Sequence, residues 1–459
     1  MDIGMRRELF ADGLLIGEMK GARLELAKPE RREAAFVCDA PWEDNVAGFH
    51  SVLQEGDSIR LYYRAAIPDL TNEDYVVIAL AKSTDGGRSF TRPNLGLVEW
   101  KGSRDNNILM IGPSPHVPPA FLDTNPACPS DQRYKGLSAA WKKLYAMASP
   151  DGLRWRSLLP GPVEMTGTFD TINMAFWDSV AGCYHCYTRY FEGWTEGTTG
   201  EGVVGPRPTV VRAIQSSTSP DFIHWTAAVP NRYEDAEAHT QLYTNSAQPC
   251  PGAEHIYIAF PNRYVQERVA RADHPYPGVN DALFMASRDG VHWKRHLEAW
   301  VRPGPDERNW TERNNYPTWP IVQASPTEWA TFISEHYRQP DAPCVLRRLA
   351  IRPHRFVSVH ADYAGGEFTT RPITFGGRQL RLNYSTSAAG SLRIEIQDER
   401  GKPLKGFAAD DMEPLFGDLL DGPAAWKEGG NLGALAGRPV RLRFLLKDAD
   451  VFALRTINP

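Results

Sequence analysis

The sequence predicts an all-β chain: a five-bladed β-propeller over residues 1–356 followed by a β-sandwich over residues 357–459. Two observations carry this. A short phrase, Ser-x-Asp-Gly-x-x-aromatic, recurs at a near-constant spacing, and the texture of the chain changes after about residue 357. The phrase is clearest at Ser287-Arg288-Asp289-Gly290-Val291-His292-Trp293 and recurs at Ser149-Pro150-Asp151-Gly152-Leu153-Arg154-Trp155. A Gly-lengthened copy runs from Ser83 to Phe90, and one lacking the Gly runs from Ser219 to Trp225. Aspartates 85, 151, 221 and 289 therefore stand 66, 70 and 68 residues apart, and a degenerate fifth copy falls at Pro353-His354-Arg355-Phe356. A self-similar period of this length is the mark of a repeat architecture. In each copy Asp bonds its own backbone, Gly supplies positive φ, and the aromatic packs back on a sheet. One such turn per roughly 65 residues suits a four-stranded blade with long loops, so five copies imply five blades.

A length of 459 residues exceeds one ordinary core, so two domains are expected. Hydrophobic and charged shares of 42% and 23% fit a soluble globular protein. The net charge of -5 is mild and argues for neither nucleic acid nor an anionic membrane as a partner. The 13 tryptophans suit sheet packing and also the covering of sugar rings. Cys183-Tyr184-His185-Cys186 has C-x-x-C spacing but lies in a strand-like run, where positions three apart face opposite ways. No disulfide framework is expected from the six cysteines. Residues 1–20 lack the charged n-region, apolar core and cleavage site of a signal peptide, and no apolar run reaches 18 residues. The cytoplasm is therefore the default location, with the periplasm or secretion open if a leader has been removed.

In chain order, Arg7 to Ile16 reads as a strand pair expected to complete a late blade and close the ring. The first blade starts near Pro41-Trp42-Glu43-Asp44-Asn45 and uses Val46–Leu53, Ile59–Arg64 and Tyr75–Ala81. The second holds Arg104–Ile108, a Pro-rich stretch at 113–119, Phe121–Pro126 and a hairpin of Tyr134–Ala140 with Lys143–Ser149. The third holds Asp170–Asp178 and Cys183–Arg189, followed by a Gly- and Thr-rich loop at 192–206 read as a lid or an insertion. The fourth holds Tyr243–Ala247 and His255–Arg263, and the fifth holds Arg313–Pro317, Trp329–Arg338 and Cys344–Ile351. Alternating strands with Gly turns then build the sandwich, whose acid cluster Asp410-Asp411-Met412-Glu413 reads as a solvated loop.

Innermost propeller strands line the axis, so polar residues at their ends converge however distant they are in sequence. These strands open with Glu43-Asp44-Asn45, Arg104-Asp105-Asn106-Asn107, Asp170-Thr171, Tyr243-Thr244-Asn245 and Arg313-Asn314-Asn315-Tyr316. Their neighbours end with Arg64, Arg189, Arg263 and His336-Tyr337-Arg338. Such a mouth can bind hydroxyls. An Arg beside one carboxylate and an apolar wall beside another would separate their pKa values, as glycosidic acid–base pairs require.

This pattern resembles the five-bladed propeller glycoside hydrolases, the group of invertase-like fructosidases and arabinan-degrading enzymes. It is more closely similar to uncharacterised bacterial sialidase-like or family-32-like proteins in the phrases Phe121-Leu122-Asp123-Thr124-Asn125-Pro126, Tyr243-Thr244-Asn245 and Phe356-Val357-Ser358-Val359. The resemblance implies three catalytic acids. Asp170 matches the middle Asp that tunes pKa and grips the sugar, and Asp44, with Glu43 beside it, matches the first-blade base or nucleophile. The Asn-Asp-Pro-Asn phrase of invertases is absent. For the acid, Glu335 on a strand is preferred to Glu237 in a loop. The substrate-binding set is Glu43, Asp105, Asn107, Arg189, Asn245, Arg263, Arg313, Asn314, His336, Tyr337 and Arg338. The partner expected is a carbohydrate, with furanosides slightly favoured, and the oligomeric state is open. No cofactor is assigned. Related propellers sometimes carry axial calcium, but neither a D-x-D-x-D-G loop nor an H-E-x-x-H motif occurs. Alternatives are a sialidase, which needs six blades, an arginine trio and a nucleophilic Tyr; a non-catalytic carbohydrate-binding propeller; and a phosphorylase gripping phosphate with Arg263 or Arg338.

Overall fold

A computed structural model of the chain describes residues 1–67, 76–112, 119–140, 143–193, 210–235, 240–427 and 431–459. Most of the Pro-rich stretch, most of the loop read as a lid and Glu237 lie outside the described residues. The described residues are all-β, with helix limited to short 3-10 turns such as Ser130–Gln132 and Glu307–Asn309. They divide into two compact units: Pro29–Pro249 with Glu254–Ile351, and Met1–Lys28 with Cys250–Ala253 and Arg352–Pro459.

The larger unit is propeller-like, with four four-stranded antiparallel sheets. The first joins Gly48–Glu55, Ser58–Ala66, Val76–Ser83 and Ile108–Gly112. The second joins Phe121–Leu122, Tyr134–Ala140, Lys143–Ser149 and Arg156–Ser157, and the third Met174–Asp178, Cys183–Glu192, Val211–Ser219 and Val229–Pro230. A seven-stranded sheet follows, containing Gln241–Thr244, Asn262–Val265, Val279–Ser287 and His292–Val301. The last four-stranded sheet joins Val322–Ser325, Glu328–Glu335, Val345–Ile351 and, from the start of the chain, Glu30–Val37.

These sheets are buried on both faces, because their strands carry apolar residues at odd and even positions alike. Ile59, Leu61 and Tyr63 join one core with Val322, Ala330 and Phe332 of the last sheet, while Tyr62 joins another with Tyr134 of the second. Val77, Ala79 and Ala81 alternate with Val76, Ile78 and Leu80 in the same way. Each core is thus shared by neighbouring sheets, as face-to-face packing requires.

The repeated phrase forms one turn four times. Asp289 Oδ1 accepts from the amides of Val291 and His292 at 2.9 and 2.7 Å, and Ser287 Oγ accepts from Gly290 N at 2.9 Å. Trp293 Nε1 donates back to Gly290 O at 3.1 Å, and its ring is wholly buried. Asp151 and Asp221 repeat these amide bonds. Phe222 stands where the other copies have Gly, at a left-handed φ of 69° beside 73° for Gly152 and 75° for Gly290. The turns also join sheets: Tyr62 of the first donates to Gly152 O, and Tyr187 of the third to Gly290 O, both at 3.0 Å. A Cβ on Gly152 would run into the side chains of Arg60 and Tyr62 while holding a left-handed φ, so Gly is favoured there.

Three expectations are corrected. The strand from the start of the chain that completes the last sheet is Glu30–Val37, which pairs with Val345–Ile351, not the run Arg7–Ile16. That run belongs to the smaller unit: Glu8–Leu9 pairs with Ala453–Leu454, and Ile16–Lys20 with Glu367–Thr370. The degenerate fifth copy keeps a left-handed residue, His354 at φ 63°, but lacks the Ser and Asp and lies in the smaller unit. Consequently 1–356 is not one uninterrupted domain. The smaller unit hydrogen-bonds eight strands into one sheet around the long pair Gln379–Gln397 and Arg441–Ile457. Its core includes Phe10 edge-on to Phe368, which stacks on Phe444 at 4.4 Å. None of the six cysteines is in a disulfide.

Candidate active site

Within the larger unit, a cavity of about 180 Å³ is lined by Arg212, Arg313, Arg338 and Glu312, by the rings of Tyr243, Tyr264, Tyr276 and Tyr316, and by Pro277 and Asn280. Strand Val211–Ser219 supplies Arg212, Gln241–Thr244 supplies Tyr243, and Asn262–Val265 supplies Tyr264. Val279–Ser287 supplies Asn280, and the remaining groups come from irregular backbone. Arg313, Asn315, His336 and Arg338 all hold φ between 57° and 62°, a region costly for residues with a Cβ.

Buried asparagines hold that backbone in place. Asn314 bonds Thr311 Oγ1 and accepts from Tyr337 N, while Asn315 Nδ2 donates to Asn280 O and Asn309 O. Asn280 Oδ1 accepts from Arg313 N, Asn309 Oδ1 accepts from His336 N, and Asn262 donates to the carbonyls of Asn314 and Asn315. A short amide side chain that satisfies nearby backbone lets the chain leave regular structure at little cost.

The electrostatics centre on Glu312. Its oxygens lie 3.1 Å from Arg313 Nε and 3.0 Å from Arg338 Nη1, His274 Nε2 is 3.9 Å away, and the side chain is 7% exposed. Burial alone would raise its pKa, but the nearby His274 ring and the two guanidiniums together hold it below the usual carboxylate value. The Tyr337 hydroxyl accepts from Arg64 at 3.0 Å and Arg313 at 3.1 Å. Arg212 donates to Gln241 Oε1 and lies over the rings of Tyr243 and Tyr264 at 5.4 and 5.1 Å. Its Nε and the Tyr316 hydroxyl are buried with no hydrogen-bond partner among the described residues. Beside the cavity, Arg189 pairs with Asp170, which is 27% exposed, and covers Tyr243 at 5.0 Å.

Of the residues singled out from the sequence, Arg313 and Arg338 line the cavity. Tyr337 and Asn314 back it, and Asp170 with Arg189 reaches Tyr243 from beside it. Asp44 caps its own loop through the amides of Val46 and Ile67, and the next residue's carbonyl accepts from Arg338 N at 2.6 Å. Burial pushes the Asp44 carboxyl up, although the Arg64 and Arg338 charges oppose this.

The other residues serve elsewhere. Glu335 has one oxygen on Arg31 and the other on Arg347, both at 2.8 Å, with 2% exposure. As a strand residue it points into the packing of its own sheet, and it is not on the cavity wall. Glu43 is clamped by Arg92 and the Tyr63 hydroxyl. Asn107 bonds Trp42, Tyr63 and Leu80 O inside the first sheet. Asp105 is exposed and bonds Asn94, and Asn245 caps Ala247 N. Arg263 is spent on Asp281 and Leu297 O, and His336 bonds Asp306 at 2.8 Å.

The sequence reading missed Glu312, Arg212, Tyr264 and Tyr276, and it quoted Tyr243 and Tyr316 only within strand-opening phrases. Glu312 directly precedes Arg313-Asn314-Asn315, and that adjacency was its one available signal. Among the described residues, no group of three or more His, Cys, Asp or Glu is placed to hold a metal ion.

No family model matches the chain, and no curated protein does. Among solved structures, an N-acetylgalactosamine deacetylase from F. plautii bound to blood group B trisaccharide aligns over 71% of this chain and 94% of its own, at 12% identity and a TM-score of 0.45. A family 43 arabinoxylan arabinofuranohydrolase from Bacillus subtilis aligns over 92% and 98%, at 9% and 0.42. An α-L-arabinofuranosidase from Podospora anserina aligns over 72% and 98%, at 10% and 0.46. At TM-scores below 0.5, these likenesses carry no argument about the chemistry of this cavity.

Proposed function

We propose that the chain hydrolyses a glycosidic bond in the Arg–Tyr–Glu cavity. The observation that supports this reading is the enclosure of one ionised carboxylate, Glu312, between Arg313 and Arg338 in a cavity walled by four tyrosines. Guanidiniums and phenols can bind sugar hydroxyls, and the rings can cover a sugar's apolar face. Glycosidic cleavage needs two carboxyl groups with separated pKa values. Glu312 is lowered and Asp44 is raised, with Arg338 acting on both. In this reading Glu312 is the base or nucleophile and Asp44 the proton donor. Asp170, held by Arg189, tunes the site beside Tyr243.

Five blades is the count we favour. The seven-stranded sheet would be the fourth blade, and the core shared by the first and last sheets supports closure. The smaller unit is read as a β-sandwich. Furanosides therefore come first in a screen of aryl furanosides and pyranosides, with NMR of the released anomer. Turnover of at least one glycoside, lost in Glu312→Gln with binding kept, is expected. Sugar binding with no turnover of any glycoside would leave a non-catalytic carbohydrate-binding propeller instead.

A further inference from the structure

We infer that the ligand of this cavity carries an oxyanion, the carboxylate of an acidic sugar or a phosphate, held by Arg212, Arg313 and Arg338. The inference rests on the reading of this cavity as the carbohydrate site and names the ligand's charge. Three guanidiniums line the cavity against one carboxylate, so its wall is cationic. Glu312 is shared between Arg313 and Arg338, which leaves each only part of a counter-charge.

Arg212 has less. Its side chain donates to the neutral amide of Gln241, and among the described residues its Nε has no partner and no carboxylate pairs with it. Arg189, the nearest other guanidinium over Tyr243, is already committed to Asp170. The faces of Tyr243 and Tyr264 offset part of the cost of burying Arg212. Ring faces do not replace an anion, and a buried guanidinium without one is costly. A guanidinium on a cavity wall has the planar donor geometry that matches the two oxygens of a carboxylate or phosphate. The volume of about 180 Å³ falls below the roughly 300–1,000 Å³ of drug-sized sites, which suits one charged ring or one phosphate group.

The test is calorimetric titration of the full chain with three probes: glucuronate, its neutral methyl ester, and inorganic phosphate. The same titrations are run on Arg212→Gln, with a thermal melt to confirm folding. The inference expects one anion to bind at least tenfold tighter than the neutral ester, and Arg212→Gln to abolish that preference. Preference for glucuronate assigns the charge to the sugar, and preference for phosphate assigns it to a second substrate. If Arg212→Gln does not fold, wild-type titration at rising salt replaces it, and anion binding must weaken while ester binding holds. Equal binding of ester and anions overturns the oxyanion and leaves the carbohydrate reading standing. Anion binding that Arg212→Gln leaves unchanged also overturns it, since the anion then sits elsewhere. Binding of none of the three, in a protein that turns over a neutral aryl glycoside, overturns it as well.

Discussion

The repeat turns and the cavity segment use acidic residues in opposite ways. In the turns at Asp85, Asp151, Asp221 and Asp289, each carboxylate is saturated by the chain that carries it: amides two to four residues ahead and a Ser two residues behind. Between Asp306 and Arg338, carboxylates instead meet guanidiniums, left-handed residues accumulate, and buried polar atoms such as Tyr316 Oη go unpartnered. The contrast separates acids whose partners all come from their own turn from acids that distant guanidiniums address.

The comparison can be broken most sharply by activity. Glu312→Gln should lower turnover of whatever glycoside the screen finds by about 10²–10⁴-fold, the usual range for a general acid–base group. Glu335→Gln should change turnover less than tenfold. It should instead destabilise the fold by about 3–5 kcal/mol in urea unfolding, because it breaks a buried pair on one side. Reversed results would return the acid to the strand.

Next in size, Trp293→Ala removes a fully buried ring that also bonds its own turn, and should cost about 3–5 kcal/mol. Gly152→Ala combines a left-handed φ with the approach of Tyr62 and Arg60, and about 2 kcal/mol is expected from comparable backbone strain. Both are read by urea unfolding.

The smallest effect is on pH dependence. Burial would raise the turn aspartates, but their hydrogen bonds to amides and to Ser hydroxyls together lower Asp85, Asp151 and Asp289 to about 2. Folded values below the unfolded value of about 3.9 mean that their stabilisation is complete above that pH. It is lost as the pH falls through the folded value near 2. Melting temperature should therefore drop between about pH 4 and pH 2, and Asp151→Asn should flatten part of that drop.

What was legible follows the same division. Ser287 to Trp293 could be read because the turn is made by neighbours in sequence: every bond closes within six residues. The strand Glu30–Val37 could not, because its opening Glu30-Arg31-Arg32-Glu33 carries no apolar alternation and its partner lies more than 300 residues away. Position on a strand suggested Glu335, but a strand sends its side chains into the packing of its own sheet. The loop that carries Glu312 is shaped by Asn262, Asn280 and Asn309, contacts that spacing along the chain does not report. Arg212 was invisible for a similar reason: only the neighbouring Tyr243 and Tyr264 give it a place in the cavity.

The pairing of Glu30–Val37 with Val345–Ile351 also sets a timetable for synthesis. At ribosomal rates of about 5–20 residues per second, the early strand emerges roughly 15–60 s before its mate. Throughout that interval the nascent chain carries an unmated sheet edge, open to pairing with another molecule. Truncation between Val301 and Val345 would make that interval permanent, so such shortened chains should aggregate even though the earlier sheets are complete.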